Sequence, residues 1–95
     1  MGRRTKGIEY MLDIDGKHFL FDSARGERLA DSPIDQGISL YRLGGRYFEV
    51  TMSLCLSIDV RLLTEDEALM LCNNLPDENV TYQEAFPGVE FTTDL

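Results

Sequence analysis

From Phe48 to Leu62 every second residue is apolar: Phe48, Val50, Met52, Leu54, Leu56, Ile58, Val60 and Leu62. The residues between them, Glu49, Thr51, Ser53, Cys55, Ser57, Asp59 and Arg61, are polar or small. A period of two puts the two sets on opposite faces of an extended chain, so this stretch reads as β structure with one buried face. Nothing in it breaks a strand, for it holds no Gly, Pro or Asn. Ordinary strands have about five or six residues, whereas residues 46–62 fully extended would reach roughly 56 Å. A domain of 95 residues is only about 30–35 Å across, judged from its expected radius of gyration. The run must therefore bend, by a bulge near Ser53 to Ser57, or continue past its own sheet and pair with a second copy of the chain. The second course predicts a homodimer through residues 46–62, closed by two-fold symmetry. No Pro or Lys guards the stretch, and its basic residues, Arg46 and Arg61, lie near its ends, so an unpaired edge here invites association.

The rest of the chain supplies partners for this strand. Residues 8–22 read as a hairpin about Asp15-Gly16, because a type I′ turn needs positive φ at both central residues. A two-residue turn pairs Ile14 with Lys17, Leu12 with Phe19 and Tyr10 with Phe21 on one face. On the other it pairs Asp13 with His18, Met11 with Leu20 and Glu9 with Asp22. A short strand is expected near Glu27 to Ala30. The segment from Gly37 to Leu43 leads into a second hairpin. There a three-residue loop, Leu43-Gly44-Gly45, sets Leu40 opposite Phe48, where a two-residue turn would set it opposite Glu49.

The period then changes. Thr64 and Glu67 form a capping box, and Glu65 and Asp66 suit the positive end of a helix. Ala68, Leu71, Cys72 and Leu75 share one helical face, and Asn73, Asn74 and Pro76 end the helix. Thr81 and Glu84 form a second capping box, followed by Pro87-Gly88, which marks a single helical turn. The expected fold is α+β. An antiparallel sheet of four or five strands, built from N-terminal hairpins and one long strand, carries one main C-terminal helix on its apolar face. Residues 1–7 are expected to be a flexible basic arm, and residues 8–95 a single domain.

Charge is distributed unevenly. Residues 1–48 hold eight Lys/Arg and seven Asp/Glu, whereas residues 49–95 hold Arg61 and ten Asp/Glu. A surface dominated by carboxylates repels phosphates and disfavours nucleic acid as a partner. It suits a basic protein surface. No stretch approaches the roughly 18 apolar residues of a membrane helix. The basic start has no uncharged apolar run behind it, so the expected address is the cytoplasm. Cys55 and Cys72 fit that address as reduced, small apolar side chains. The sequence Asn79-Val80-Thr81 matches a glycosylation acceptor only by chance in that setting.

Each chemistry-bearing pattern in the chain has a plainer explanation. Asp13, Asp15 and Gly16 resemble the start of a calcium loop, but the spacing puts Met11 at position one and Asp22 at position twelve. His18 lacks clustered Cys or His to make a zinc site and lacks a nucleophile to serve as its base. Cys55 sits in a row with Ser53 and Ser57 and has no base within sequence reach. Gly44-Gly45 has neither the spacing nor the strand-to-helix setting of a phosphate loop. No catalytic residue, cofactor or metal is expected. The reading is a non-catalytic interaction module with an acidic surface, its candidate partner-binding residues being Tyr47, Glu49, Thr51, Ser53, Cys55, Ser57, Glu65 and Asp66. The alternative is a small-molecule-binding or enzymatic subunit whose site forms at a homodimer interface, with Tyr41, Tyr47, Cys55 or His18 contributing.

Overall fold

The computed structural model describes residues 7–32, 37–53, 57–75 and 77–92. The expected basic arm lies outside these residues except for Gly7. Strands β1 (Glu9–Ile14) and β2 (Lys17–Asp22) form a hairpin with all six expected pairs, from Ile14 opposite Lys17 to Glu9 opposite Asp22. Asp15 and Gly16 have φ of 52° and 77°, as a type I′ turn requires. This hairpin is a sheet of its own. A second, antiparallel sheet has five strands in the order β6-β5-β4-β3-β7. They are β3 (Glu27–Asp31), β4 (Ile38–Leu43), β5 (Arg46–Met52), β6 (Ile58–Leu63) and the two-residue β7 (Asp77–Glu78). Helix α1 (Glu65–Asn74) and the single turn α2 (Tyr82–Ala85) complete the α+β fold.

The long alternating run is two strands, not one. β5 turns back into β6, with Met52 opposite Ile58 and Tyr47 opposite Leu63. The Ser53 amide donates to the Ser57 carbonyl at 2.9 Å as the reversal begins. In this register opposing residue numbers always sum to an even number, so even-numbered residues share a face before and after the turn. That is why the apolar alternation crosses the reversal without a break. Phe48, Val50 and Val60 are buried, Ile58 and Leu62 half-buried, and Met52 exposed. The inward placement expected for Leu54 and Leu56 lies outside the described residues.

The β4–β5 turn also differs from expectation. It is the two-residue Gly44-Gly45, with φ of 61° and 75°. Leu40 therefore faces Glu49, and Tyr41 faces Phe48. The expected register treated the sheet as having one buried face. The sheet in fact lies between two layers, and Leu40 serves the second.

On one face the β1–β2 hairpin covers the apolar set. Ile14 and Phe21 pack with Phe48, Val50 and Val60. Phe19 stacks on Phe48 with ring centres 5.4 Å apart, and Phe21 lies 5.1 Å from Phe48 and edge-on to Tyr41 at 5.6 Å. On the opposite face lies α1, which was expected on the face the hairpin takes. There Leu29, Ala30, Leu40, Tyr47 and Leu63 pack with Ala68, Cys72 and Leu75 of α1 and with Ala85 and Phe86. A bulge in β3, between Arg28 and Ala30, turns the adjacent Leu29 and Ala30 both into this core.

Both capping boxes form. Thr64 Oγ1 accepts from the Glu67 amide at 3.1 Å, and Glu67 Oε1 accepts from the Thr64 amide at 2.9 Å. Thr81 and Glu84 repeat the arrangement at 3.2 and 3.1 Å. Each such cap is worth about 1 kcal/mol. Of the expected helix face, Ala68, Cys72 and Leu75 are buried and Leu71 is half-buried.

Candidate functional site

Several described carboxylates of the C-terminal half lie on the elements that cover the helix side of the sheet. Glu65, Asp66 and Glu67 form the exposed first turn of α1. A Cβ added at Gly88 would sit 3.7 Å from Glu65 Oε2, so the loop after α2 runs beside this turn. Glu84 and Glu90 are exposed on that same C-terminal segment. Arg61, the one basic residue after Arg46, is already engaged. Its Nε and NH2 donate to Glu49 Oε1 at 3.1 and 3.0 Å, and NH1 lies 3.7 Å from Glu67. Among the described residues neither Glu65 nor Asp66 has an ion-pair partner. The backbone bond from Thr64 holds the Glu67 carboxyl below its usual range, and that from Thr81 does the same for Glu84. These two carboxylates therefore keep their negative charge further into acid than an ordinary glutamate.

Met70 stands in this acidic surround with 68% of its surface exposed. It follows Asp66 by four residues on the outer side of α1, so a carboxylate and a flexible thioether are neighbours. The sequence reading missed Met70. The available signal was a large apolar residue between the buried positions Ala68 and Cys72, at a helical position that cannot face inward with them.

The expected partner-binding residues differ in exposure. Tyr47 is buried, and its hydroxyl donates to the Ala85 carbonyl at 2.9 Å. Burial is the main reason that its hydroxyl titrates above the ordinary tyrosine range, and Glu65 adds to the rise. Glu49 and Thr51 are half-buried, whereas Ser53, Ser57, Glu65 and Asp66 are exposed. Cys55 lies outside the described residues. Tyr47 acts as a fastener together with Arg42, whose NH1 donates to the Glu84 and Ala85 carbonyls at 2.8 and 2.7 Å while NH2 pairs with Glu27. These bonds satisfy the C-terminal carbonyls of α2 and pin it to the sheet. Nothing in the sequence pattern around Arg42 announced that role.

Of the residues expected to contribute to a site at a homodimer interface, the described Tyr41, Tyr47 and His18 lie in different layers of one chain. Tyr41 packs against Phe21 on the hairpin side, and Tyr47 lies on the helix side. His18 sits on the outer face of the hairpin, with Nδ1 2.7 Å from Asp13 Oδ1 and the two side chains 78% and 72% exposed. Water solvates this pair freely, which weakens any coupling between them. The buried Cys72 thiol is pushed up to about 11, first by desolvation and then by Glu78, opposite to what a nucleophilic thiolate needs. It is a free cysteine.

Among the described residues no three His, Cys, Asp or Glu side chains converge to hold a metal ion. Among the same residues no helix is long and apolar enough to cross a membrane. Compared with family models, with curated proteins and with solved structures, the chain matches none.

Proposed function

We propose that this protein is a non-catalytic interaction module whose α1 face docks a basic protein segment in the cytoplasm. One observation carries the reading: Glu65 and Asp66 stand exposed, without ion-pair partners among the described residues, next to a 68% exposed Met70. Unpaired carboxylates around a flexible apolar side chain suit a partner with Lys or Arg flanking one apolar anchor. The charges steer the encounter and set its salt dependence, and the methionine adds contact area on docking. The free, buried Cys72 thiol suits a reducing compartment.

The test is fluorescence anisotropy with a labelled amphipathic peptide of alternating Lys and Leu, at low and at high salt. Wild type should bind and lose roughly tenfold or more in affinity when salt rises from 50 to 300 mM, as exposed charges are screened. Glu65→Gln with Asp66→Asn should cost about as much at low salt, and Met70→Ser should weaken binding further at both salts. Equal affinity for wild type and the three-site variant would remove α1 as the docking face.

A further inference from the structure

β6 is an edge strand. In the five-stranded sheet it pairs with β5 alone, and the opposite edge is the two-residue β7. The hydrogen-bond phase of β6 follows from its turn. The Ser53 amide bonds the Ser57 carbonyl, so the bonded pairs of this ladder are odd-numbered: 53 with 57, 51 with 59, 49 with 61 and 47 with 63. The β4–β5 ladder agrees, because the Met52 amide bonds the Gly37 carbonyl and so commits the even residues of β5 to β4. In β6, then, the backbone groups of Asp59 and Arg61 turn toward β5, and those of Ile58, Val60 and Leu62 turn outward.

We infer that this edge pairs antiparallel with the same edge of a second copy, centred on Val60. In that register Val60 faces Val60 across the two-fold axis, Ile58 faces Leu62, and Asp59 faces Arg61 twice over. The outward backbone groups of Ile58, Val60 and Leu62 form the bonded pairs, so the Asp59–Arg61 pairs fall at the non-bonded positions. Their Cα atoms then approach to about 4.5 Å, the closer of the two antiparallel spacings. Side-chain faces also match. Asp59 and Arg61 both lie on the helix side, whereas Ile58, Val60 and Leu62 continue the apolar seam beneath the hairpin.

Charge selects this register from its neighbours. Moving the axis by one residue to Asp59 puts two aspartates face to face, and moving it to Arg61 does the same with two arginines. Moving it by two residues, to Ile58 or Leu62, shortens the overlap and leaves Asp59 opposite Ser57 or Arg61 opposite Leu63. Only the Val60 axis sets opposite charges together. The Tyr10 hydroxyl, reaching from the hairpin to this edge, donates to Asp59 Oδ1 at 3.1 Å, and on pairing it gives way to Arg61 of the second copy. Arg61 uses Nε and NH2 on Glu49, and NH1, 3.7 Å from Glu67, can be shared. Short edge-to-edge pairing buries less surface than a permanent dimer, so the association should depend on concentration.

The test is sedimentation equilibrium of the full chain from low micromolar to millimolar. The mass should rise from 10.8 kDa toward twice that value. Asp59→Arg and Arg61→Asp should each stay at the single-chain mass, because each sets like charges across the axis. An equal mixture of the two should regain the doubled mass, since every cross-chain pair is then opposite. A wild type that stays single at millimolar concentration, or an Asp59→Arg chain that doubles as the wild type does, overturns the proposal.

Arg61→Asp also faces Glu49 and Glu67 and could lose the fold. Hydrogen exchange on the wild type supplies an independent arm. The amides of Ile58, Val60 and Leu62 should slow with rising concentration, while those of Asp59 and Arg61 should not change. Exchange at the outward amides that ignores concentration also overturns it. The exchange readout on the wild type leaves the α1 face untouched.

Discussion

The two faces of the central sheet are closed by different means. The hairpin side is sealed by shape: Phe19, Phe21 and Phe48 interleave, and the β1–β2 turn sets their spacing through short-range chemistry. The helix side has an apolar core of its own and adds long-range polar fasteners to it. Tyr47 and Arg42 reach the end of α2 across 38 to 43 residues of chain, and Arg61 ties β6 to β5 and the first turn of α1. The difference teaches that a strand pattern can specify the layer that covers it when that layer is a hairpin of matched period. It specifies much less when the covering layer is a helix and a single turn held by capped carbonyls.

Truncating the hairpin-side anchor should give the largest effect. Phe48 is fully buried between Phe19 and Phe21, so Phe48→Ala should cost about 3–5 kcal/mol. Urea unfolding followed by far-UV circular dichroism measures it. A loss under about 1 kcal/mol would mean that the hairpin is dispensable to the sheet, and the two faces would not differ as described.

A smaller effect is expected on the helix side. Tyr47→Phe keeps the ring that stacks on Phe86 at 4.9 Å and removes the bond to Ala85. It should cost about 1 kcal/mol, the usual net worth of one hydrogen bond, with the Ala85 carbonyl left buried. Hydrogen exchange should show the loss concentrated at the α2 amides. A uniform loss across the sheet would show the fasteners to be no more local than the aromatic packing.

The smallest effect is acid sensitivity of the caps. Glu67 and Glu84 titrate below their usual 4.5 because each accepts a backbone amide in the folded state. A carboxyl held low in the fold stabilises above its unfolded value and loses that contribution as pH falls through its folded value. Stability should therefore drop below about pH 4.5, and Glu67→Gln with Glu84→Gln should flatten that drop while keeping the acceptors. The urea midpoint followed from pH 6 to pH 3 checks it. Identical slopes for wild type and variant would mean that the caps carry none of the acid response.

The first hairpin was legible in full because one turn, Asp15-Gly16, fixes its register and both faces then make chemical sense. Both helix starts were legible too, since a capping box is a contact between residues three apart. The Gly44-Gly45 register was not. Choosing it required knowing that the sheet has two covered faces, so that Leu40 has a core to enter while Glu49 meets Arg61. Of the candidate site, Glu65 and Asp66 were legible as exposed charges at a helix start. Met70 was passed over, and Tyr47 went from surface candidate to buried fastener.

What the sequence determined by itself is the local geometry: turn chemistry, caps, and the period-two and helical faces, all set by interactions within a few residues. Only the tertiary structure decided that residues 46–62 reverse instead of running on, that the hairpin and not the helix covers their apolar face, and that α2 is pinned by Arg42 and Tyr47. The physical reason is parity. A turn that pairs residues of even sum preserves the alternation on both sides of it, so one strand and two write the same sequence pattern, and only the contacts between distant elements tell them apart.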